Sequence, residues 1–317
     1  MCMEKIRGII EQCLSENPCA AEFRFNEPMS AHTSFKAGGT ADCWVRPQGA
    51  DSFGFTAALI VAVKRTGIPL FILGGGANVL VSDNGIRGIT LDTSGWAGET
   101  GSPSRTEMAF LSGTSPDEAA EASAARGLGG LEFLAGMPGS MGGALWMNAR
   151  AYGREIADIV IEADVLDFSG AEAVRRTVQT NKADFDYKRS PFQNQRALIL
   201  AARFSLQARS ENEIRREMEA HRRDREDKGH YRYPSAGSAF KNNRVFGKPT
   251  GQIIDELDLK GLRVGGAQIA PYHGNIIINT GGATAQDIRA LLELTAARVK
   301  DATGFILEPE IIFAGEW

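Results

Sequence analysis

GLEFLAGMPGSMGGALWMNARAYG, residues 130–153, decides how this chain is read. Gly136, Gly139, Gly142 and Gly143 recur about three residues apart, and Pro138 fixes one backbone angle between them. Residues without a Cβ reach positive φ and let the main chain touch a ligand, at a cost of ~0.5–1 kcal/mol each inside regular structure. The spacing therefore predicts a loop, not a core strand or helix. A second such loop, LGGGANVLVSDNG at 73–85, follows a short apolar run. Backbone N–H groups in glycine-rich turns form anion-binding nests, and a pyrophosphate suits two of them. Two loops aimed at one ligand thus predict a large phosphate-bearing cofactor, with Asn78, Ser82, Ser140 and Asn148 as polar neighbours. Tight turns and close packing also use glycine clusters, so the loops by themselves leave both readings open. No G-x-G-x-x-G occurs, because the spacing after Gly74 and Gly76 fails at Val79, and there is no G-x-x-x-x-G-K-[ST] loop.

The 317 residues suit two or three domains, each with its own core. Hydrophobic residues make up 43% and charged residues 23%, as in ordinary soluble proteins. A net charge of −4 provides no basic footprint for nucleic acid. Cys2, Cys13, Cys19 and Cys43 form no C-x-x-C pair and read as reduced thiols of a cytosolic protein. MCMEKIRGII lacks the apolar segment of a signal peptide, and no apolar run reaches membrane-spanning length. His32, His221, His230 and His273 are scattered without an H-x-x-x-H pair, so no metal site is expected.

Ile6, Ile9, Ile10, Cys13 and Leu14 at helical spacing predict a short helix over 4–15. A helix is expected from Asp51 to Arg65, closed by Gly67, and then a strand from Ile68 to Leu73 delivering Gly74, Gly75 and Gly76. Ser115-Pro116-Asp117-Glu118 is a helix start with an N-cap serine, proline at the first position and a capping-box glutamate; Gly127 ends that helix. Apolar runs at Met108–Leu111, Ile159–Leu166, Ala197–Phe204, Asn275–Asn279 and Glu310–Ala314 predict buried strands. Glu211–Lys228 is dense in charge with only Ile214 and Met218 as anchors, which reads as a solvated helix at a domain boundary. Helices are expected over Thr250–Leu257 and Thr284–Lys300, the second with Thr284 and Asp287 as a capping box. A domain junction is expected near residue 206, just before that charged helix, and helices alternate with strands on both sides of it, in an α+β or α/β class.

Pro234-Ser235-Ala236-Gly237-Ser238-Ala239-Phe240-Lys241-Asn242 places two hydroxyls, a cation and a carboxamide within nine residues. Turn chemistry is the simpler explanation, and no G-x-S-x-G elbow accompanies Ser238. A serine acting as general acid needs a neighbouring charge or a proton relay. Glu308 and Glu310 lead into an apolar run, and a carboxylate beginning a buried strand is costly unless paired or functional; surface exposure is the alternative. Tyr187-Lys188-Arg189-Ser190-Pro191-Phe192 sets two cations between aromatic residues, the usual composition of a charged surface turn.

Taken together, these segments resemble the UDP-N-acetylenolpyruvoylglucosamine reductase family, from about His32 to Phe313. The resemblance rests on HTSFKAGG at 32–39, LGGGANVLVSDNGIRG at 73–88, the 130–153 stretch, PSAGSAFKN at 234–242, GLRVGGAQIAPYHGNIIIN at 261–279 and LEPEIIF at 307–313. It implies an α+β fold with an N-terminal helical segment at 1–29, an FAD-binding domain of the vanillyl-alcohol oxidase type at about 30–205 and a smaller α+β substrate-binding domain at 206–317. The FAD-binding domain holds the pyrophosphate in backbone loops, in keeping with the missing Rossmann fingerprint. Also implied are FAD and NADPH as cofactors, a UDP-sugar enolpyruvyl ether as substrate, and a cytoplasmic place in peptidoglycan precursor synthesis. No nucleic acid, membrane or obligate protein partner is implied. In the family reaction a flavin-borne hydride goes to C3 of the enolpyruvyl group and a proton to C2. Ser238 matches the proton donor, Glu310 the catalytic glutamate, and Lys188 the position of a catalytic arginine. Gly74, Gly75, Gly76, Ala77, Asn78, Val79, Gly136, Pro138, Gly139, Ser140, Gly142, Gly143 and Asn148 match cofactor-binding positions. Tyr187, Arg189, Lys241, Asn242 and His273 match substrate-binding ones.

Departures from the family pattern fall at three positions. Lys188 supplies charge but not the bidentate fork of an arginine. Arg150 replaces a glycine common in the family, and it either contacts flavin or substrate, compensates for the lost arginine, or faces solvent. Ala239 replaces a bulky aromatic residue, which widens the expected site. The chain lacks the tyrosine-bearing substrate loop of longer relatives and resembles the shorter type. Another FAD-dependent alcohol or sugar oxidase of the same fold is the alternative activity, and a catalytically inactive nucleotide-binding protein is a third. Oxidases of that fold often tether FAD through histidine or cysteine, which residues 73–88 and 130–153 lack.

Overall fold

The computed structural model describes residues 3–101 and 105–317; Cys2 lies outside the described residues. The chain divides into two compact units, each assembled from separated segments. The first comprises Met1–Phe25, Cys43–Gly75 and Gly88–Arg223, and the second Asn26–Asp42, Gly76–Arg87 and Asp224–Trp317. Helices alternate with mostly antiparallel sheets, so the class is α+β. The seven helices named here are α1 (Met3–Glu16), α2 (Phe53–Thr66), α3 (Pro116–Ala125), α4 (Met141–Trp146), α5 (Glu211–Asp227), α6 (Thr250–Glu256) and α7 (Ala285–Thr303).

In the first unit, α1 buries Ile6, Ile10 and Cys13, one stripe at helical spacing, against Phe55, Leu59 and Val63 of α2. Gly67 closes α2 at φ 69°, a left-handed cap that a Cβ would disfavour, with its N–H on the Lys64 carbonyl. The strand Leu70–Leu73 runs parallel to Ile89–Asp92 and hands the chain to Gly74. A five-stranded antiparallel sheet has the order Val174–Gln179, Val160–Asp167, Ala197–Ser205, Glu107–Leu111, Glu99–Thr100. One face packs Met108, Phe110, Val165, Ile199 and Phe204 against α3 and α4; the other packs Leu111, Leu166, Leu198 and Leu200 around Trp96. Cover on both faces explains why these strands read as unbroken apolar runs. Val174–Gln179, by contrast, gave no strand signal. It lies at the sheet edge with exposed, charged residues, and Arg175 and Thr177 bond Asp164 across the pair at 2.6 and 2.7 Å.

Two expectations need correction here. Gly142 and Gly143 are not loop residues but belong to α4, whose N-cap hydroxyl on Ser140 accepts the Gly143 N–H at 3.2 Å. Of Gly136, Gly139, Gly142 and Gly143, only Gly136 (φ 70°) and Gly139 (φ 117°) use backbone angles that glycine favours. Gly142 is needed instead for packing, since a Cβ there would lie 2.7 Å from Ser112 Cβ. The strand expected over Glu310–Ala314 is Ile312–Ala314, because the residues ahead of it pair elsewhere, with the segment after Ser238.

The second unit holds a sheet ordered Ser235–Ser238, Ile276–Asn279, Ala267–Ile269, Arg263–Val264, covered by α6 and α7. Ile288, Leu291, Leu292, Thr295 and Val299 form the buried face of α7. The Thr284–Asp287 capping box is present, and the Asp83 carboxylate adds a second cap, accepting the N–H groups of Ala285 and Gln286 at 2.9 Å each. Beside it, Val79–Val81 runs parallel to Ile312–Ala314. No helix among the described residues is long and apolar enough to cross a membrane.

Candidate functional site

Within the first unit the two glycine loops meet. The Ser140 hydroxyl accepts the N–H groups of Gly75 and Gly143, each at 3.2 Å. A Cβ on Gly74 would lie 2.8 Å from that hydroxyl, and one on Gly75 only 2.4 Å from the Gly139 carbonyl carbon. Gly136 donates its N–H to Asp117, Met141 to the Thr114 carbonyl and Gly142 to the Ser112 carbonyl. The N–H groups of Gly139 and Ser140 meet no protein acceptor among the described residues, although Ser140 is buried. A buried unsatisfied donor costs about 1–3 kcal/mol, which an anionic ligand at this loop would relieve. A phosphate-bearing cofactor therefore fits the N–H groups of Gly139 and Ser140, against which Gly74 and Gly75 are packed. Pro138 is exposed between them.

Asn148 is fully buried at φ 44°, and both ends of its carboxamide are engaged: Nδ2 donates to the Asp186 carbonyl at 3.0 Å, and Oδ1 accepts the Ala157 N–H at 3.1 Å. That bond pins a tight turn. Asp186 and Arg189 exchange backbone hydrogen bonds of 3.1 and 3.0 Å, with Tyr187 and Lys188 at the tip. The Ser190 hydroxyl and Gln193 Nε2 both donate to the Trp146 carbonyl at the end of α4, at 2.8 Å each, and Gln193 Nε2 also donates to the Lys188 carbonyl at 3.1 Å. Lys188 sits at φ 58°, a strained conformation for a residue with a Cβ, and its Nζ lies 5.9 Å from the Tyr187 ring centre. Strain of this kind is kept where the surroundings over-determine it, and here they fix Lys188 relative to the glycine loop. Arg189 and Arg150 are exposed, Arg150 on the short ribbon formed with Arg154–Glu155.

The second unit brings Ser238 and Glu310 onto adjoining segments. Ala239 donates its N–H to the Asn275 carbonyl at 2.8 Å and accepts the Glu310 N–H at 2.9 Å. Lys241 N–H reaches the Glu308 carbonyl at 2.9 Å, and the Lys241 ammonium pairs with the exposed Glu308 carboxylate. On its other side Glu310 accepts Asn78 Nδ2 at its carbonyl, at 3.0 Å, and Asn78 in turn accepts the Ile312 N–H at 2.9 Å. Gly76 packs instead on the loop of His32: at φ 62°, a Cβ would lie 2.0 Å from the His32 carbonyl oxygen. Ala77 and Val79 flank Asn78, with Ala77 accepting the Ser34 hydroxyl at 3.3 Å. No hydrogen bond among the described residues fixes the half-buried Ser238 hydroxyl, so it is able to turn towards a bound molecule.

Asn275 is the residue that sequence reading missed. It is buried, accepts the Phe240 N–H at 2.9 Å and donates to the Phe240 carbonyl at 2.8 Å, clasping the backbone two residues beyond Ser238. Its only signal was a carboxamide opening the run Ile276–Asn279. Asn242 Oδ1 accepts the Thr250 N–H at 2.8 Å, holding its loop to α6. His273 Nδ1 accepts the Asn275 N–H at 3.1 Å, and burial, then the Lys228 charge, lowers its pKa. Its ring lies 6.0 Å from that of His230, which burial and the Arg225 charge push down to about 4. No group of three or more His, Cys, Asp or Glu side chains that could hold a metal occurs among the described residues.

Comparison with known proteins agrees with both halves. Residues 50–175 match the model of an FAD binding domain, and residues 229–314 match that of the UDP-N-acetylenolpyruvoylglucosamine reductase C-terminal domain. Proteins named UDP-N-acetylenolpyruvoylglucosamine reductase from Treponema denticola and Treponema pallidum are each 39% identical, across 92% of this chain and 94% of theirs. The crystal structure of the enzyme of that name from Thermus caldophilus superposes with a TM-score of 0.72 at 30% identity, covering 93% of this chain and 99% of that one.

Proposed function

Because the chain belongs to the UDP-N-acetylenolpyruvoylglucosamine reductase family, we propose that it reduces UDP-N-acetylenolpyruvoylglucosamine to UDP-N-acetylmuramate, with FAD as resident cofactor and NADPH as reductant, in peptidoglycan precursor synthesis. The observation that carries this reading is the pairing of the backbone after Ser238 with Glu310, which sets a hydroxyl and a carboxylate on adjoining segments. Bound FAD would supply the redox chemistry, taking hydride from NADPH and releasing it to the enolpyruvyl double bond. Residues 30–205 are assigned mainly to the cofactor and residues 206–317 mainly to the substrate. The family-model matches at 50–175 and 229–314 fall on the two sides of that division, while residues 26–42 and 76–87 group with the second unit and residues 206–223 with the first.

Reduction adds hydride at C3 and a proton at C2, where negative charge builds up as an enolate of the adjacent carboxylate. The Ser238 hydroxyl donates that proton. A serine is far too weak an acid to do so unaided, and Glu310 assists by poising the donor or the enolate. Asn275 keeps the strand beneath Ser238 in place through its two bonds to Phe240. Lys188, held by its turn, supplies positive charge where the transition state carries negative charge. The Gly139 and Ser140 N–H groups would hold the FAD pyrophosphate, and Gly74 and Gly75, by lacking side chains, let their loop pack against that segment. Tyr187, Arg189, Lys241, Asn242 and His273 contact the UDP-sugar. The chain works without nucleic acid, membrane or obligate protein partner.

Purified protein should be yellow, lose that colour on denaturation, and, without an added artificial acceptor, turn NADPH over repeatedly only when the enolpyruvyl sugar nucleotide is present. Colour retained by the denatured chain, or NADPH consumption indifferent to the sugar nucleotide, would refute this reading in favour of another flavoprotein activity.

A further inference from the structure

Helix α5 buries only Ile214 and Met218, yet its charges are not all spent on solvent. Arg222 donates from Nε and Nη2 to Asp117 Oδ1 at 3.1 and 2.8 Å, and from Nη2 to Glu121 at 2.6 Å. The same Asp117 oxygen accepts the Gly136 N–H at 2.7 Å. Just ahead of the helix, Arg209 donates to Glu132 Oε1 at 2.8 Å, and the buried Glu132 accepts the Gly130 N–H at 2.6 Å. Farther along, Tyr152 stacks on the His221 ring with centroids 3.7 Å apart and donates its hydroxyl to the His221 carbonyl at 3.1 Å. Residues 130, 136 and 152 mark the start, middle and end of the glycine stretch. Each is thus fastened to the segment Arg209–Arg222.

A solvated helix would show only pairs within itself, such as Arg223–Glu219. Such exposed pairs hold little in place. The Arg222–Asp117–Gly136 chain is different, since it joins two elements far apart in sequence and ends on a main-chain N–H at φ 70°. Three and four residues beyond that N–H come Gly139 and Ser140, whose own N–H groups meet no protein acceptor among the described residues.

We propose that Asp117 and Arg222 are positioning residues for the cofactor: Arg222 sets the Asp117 carboxylate, Asp117 sets Gly136, and Gly136 sets how Gly139 and Ser140 present their N–H groups to the FAD pyrophosphate. This inference rests on the FAD reading given above. Their role is indirect, through the Gly136 N–H, and it is read in how tightly the folded protein holds FAD.

The test compares FAD release from the holoprotein, followed by flavin fluorescence, with hydrogen exchange at the Gly136 amide. Arg222→Gln should weaken FAD retention roughly three- to thirtyfold and speed Gly136 exchange, while Arg222→Lys recovers part of both. Combined with Asp117→Asn, Arg222→Gln should add little further loss, because both cut one chain. Arg223→Gln should match the unsubstituted protein. Should Arg222→Gln fail to fold, Arg222→Lys and Asp117→Asn carry the same comparison. Folded variants that retain FAD and protect Gly136 as the unsubstituted protein does would overturn the inference alone. An unsubstituted protein that takes up no FAD would overturn the functional reading and this inference with it.

Discussion

Gly75 and Gly139 meet main chain to main chain: a Cβ on Gly75 would lie 2.4 Å from the Gly139 carbonyl carbon and 2.7 Å from its oxygen. Neither backbone is able to give way as a flexible side chain would, so Gly75→Ala should force the two loops apart. We expect a stability loss of about 1–3 kcal/mol and loss of FAD binding. Gly143→Ala meets only the Ser140 hydroxyl, at 3.3 Å, in a helical position where alanine is favoured. Thermal denaturation should therefore separate the two variants, with Gly143→Ala close to the unsubstituted protein.

Asn275→Ala should be costly for its size. It leaves the N–H and carbonyl of Phe240 without their partners in a buried position, for a stability loss of about 2–4 kcal/mol. Urea denaturation measures that loss. Turnover should fall in the same variant even where it remains folded, because the backbone beyond Ser238 is released.

Lys188 allows backbone and charge to be separated. Lys188→Gly relieves the φ of 58° and should leave stability unchanged or raise it by up to about 1 kcal/mol. Its turnover should nevertheless drop roughly 10²-fold if the cation faces developing charge, whereas Lys188→Arg should keep most of it. A Lys188→Gly enzyme with full turnover would remove Lys188 from the mechanism.

His230 makes the fold sensitive to acid. Its pKa falls from 6.5 in the unfolded chain to about 4 in the fold, first through burial and then through the Arg225 charge. The unfolded chain therefore binds more protons between those values. The stabilisation is complete above about pH 6.5 and is lost as the pH falls towards about 4. Replacing His230 by Gln should flatten that slope by roughly 1 kcal/mol, a figure kept small because the ring is only half-buried. Denaturant titrations across this range measure the slope, and an unchanged one would rule out the ring as its source.

What the sequence made legible was local or periodic. The Ser115–Glu118 and Thr284–Asp287 capping boxes close within one helical turn, and both stand as read. The apolar runs Ala197–Phe204 and Ile159–Leu166 declare a sheet buried on both faces. Glycine density marked the loop region, but not that Gly142 and Gly143 sit in a helix, where packing on Ser112 and not backbone angle requires Gly142. Asn275 and Arg222 were opaque for a common reason. Their partners, Phe240 and Asp117, lie 35 and 105 residues away, and nothing near either residue announces the bond.

The account depends above all on Ser238 as the proton source for C2. The most direct measurement follows NADPH oxidation by Ser238→Ala holoprotein twice, once with an artificial electron acceptor and once with the enolpyruvyl sugar nucleotide. The first rate should match that of the unsubstituted enzyme, and the second should fall by roughly 10²–10⁴-fold. Undiminished turnover of the sugar nucleotide would contradict the account, and so would an equal fall in both rates.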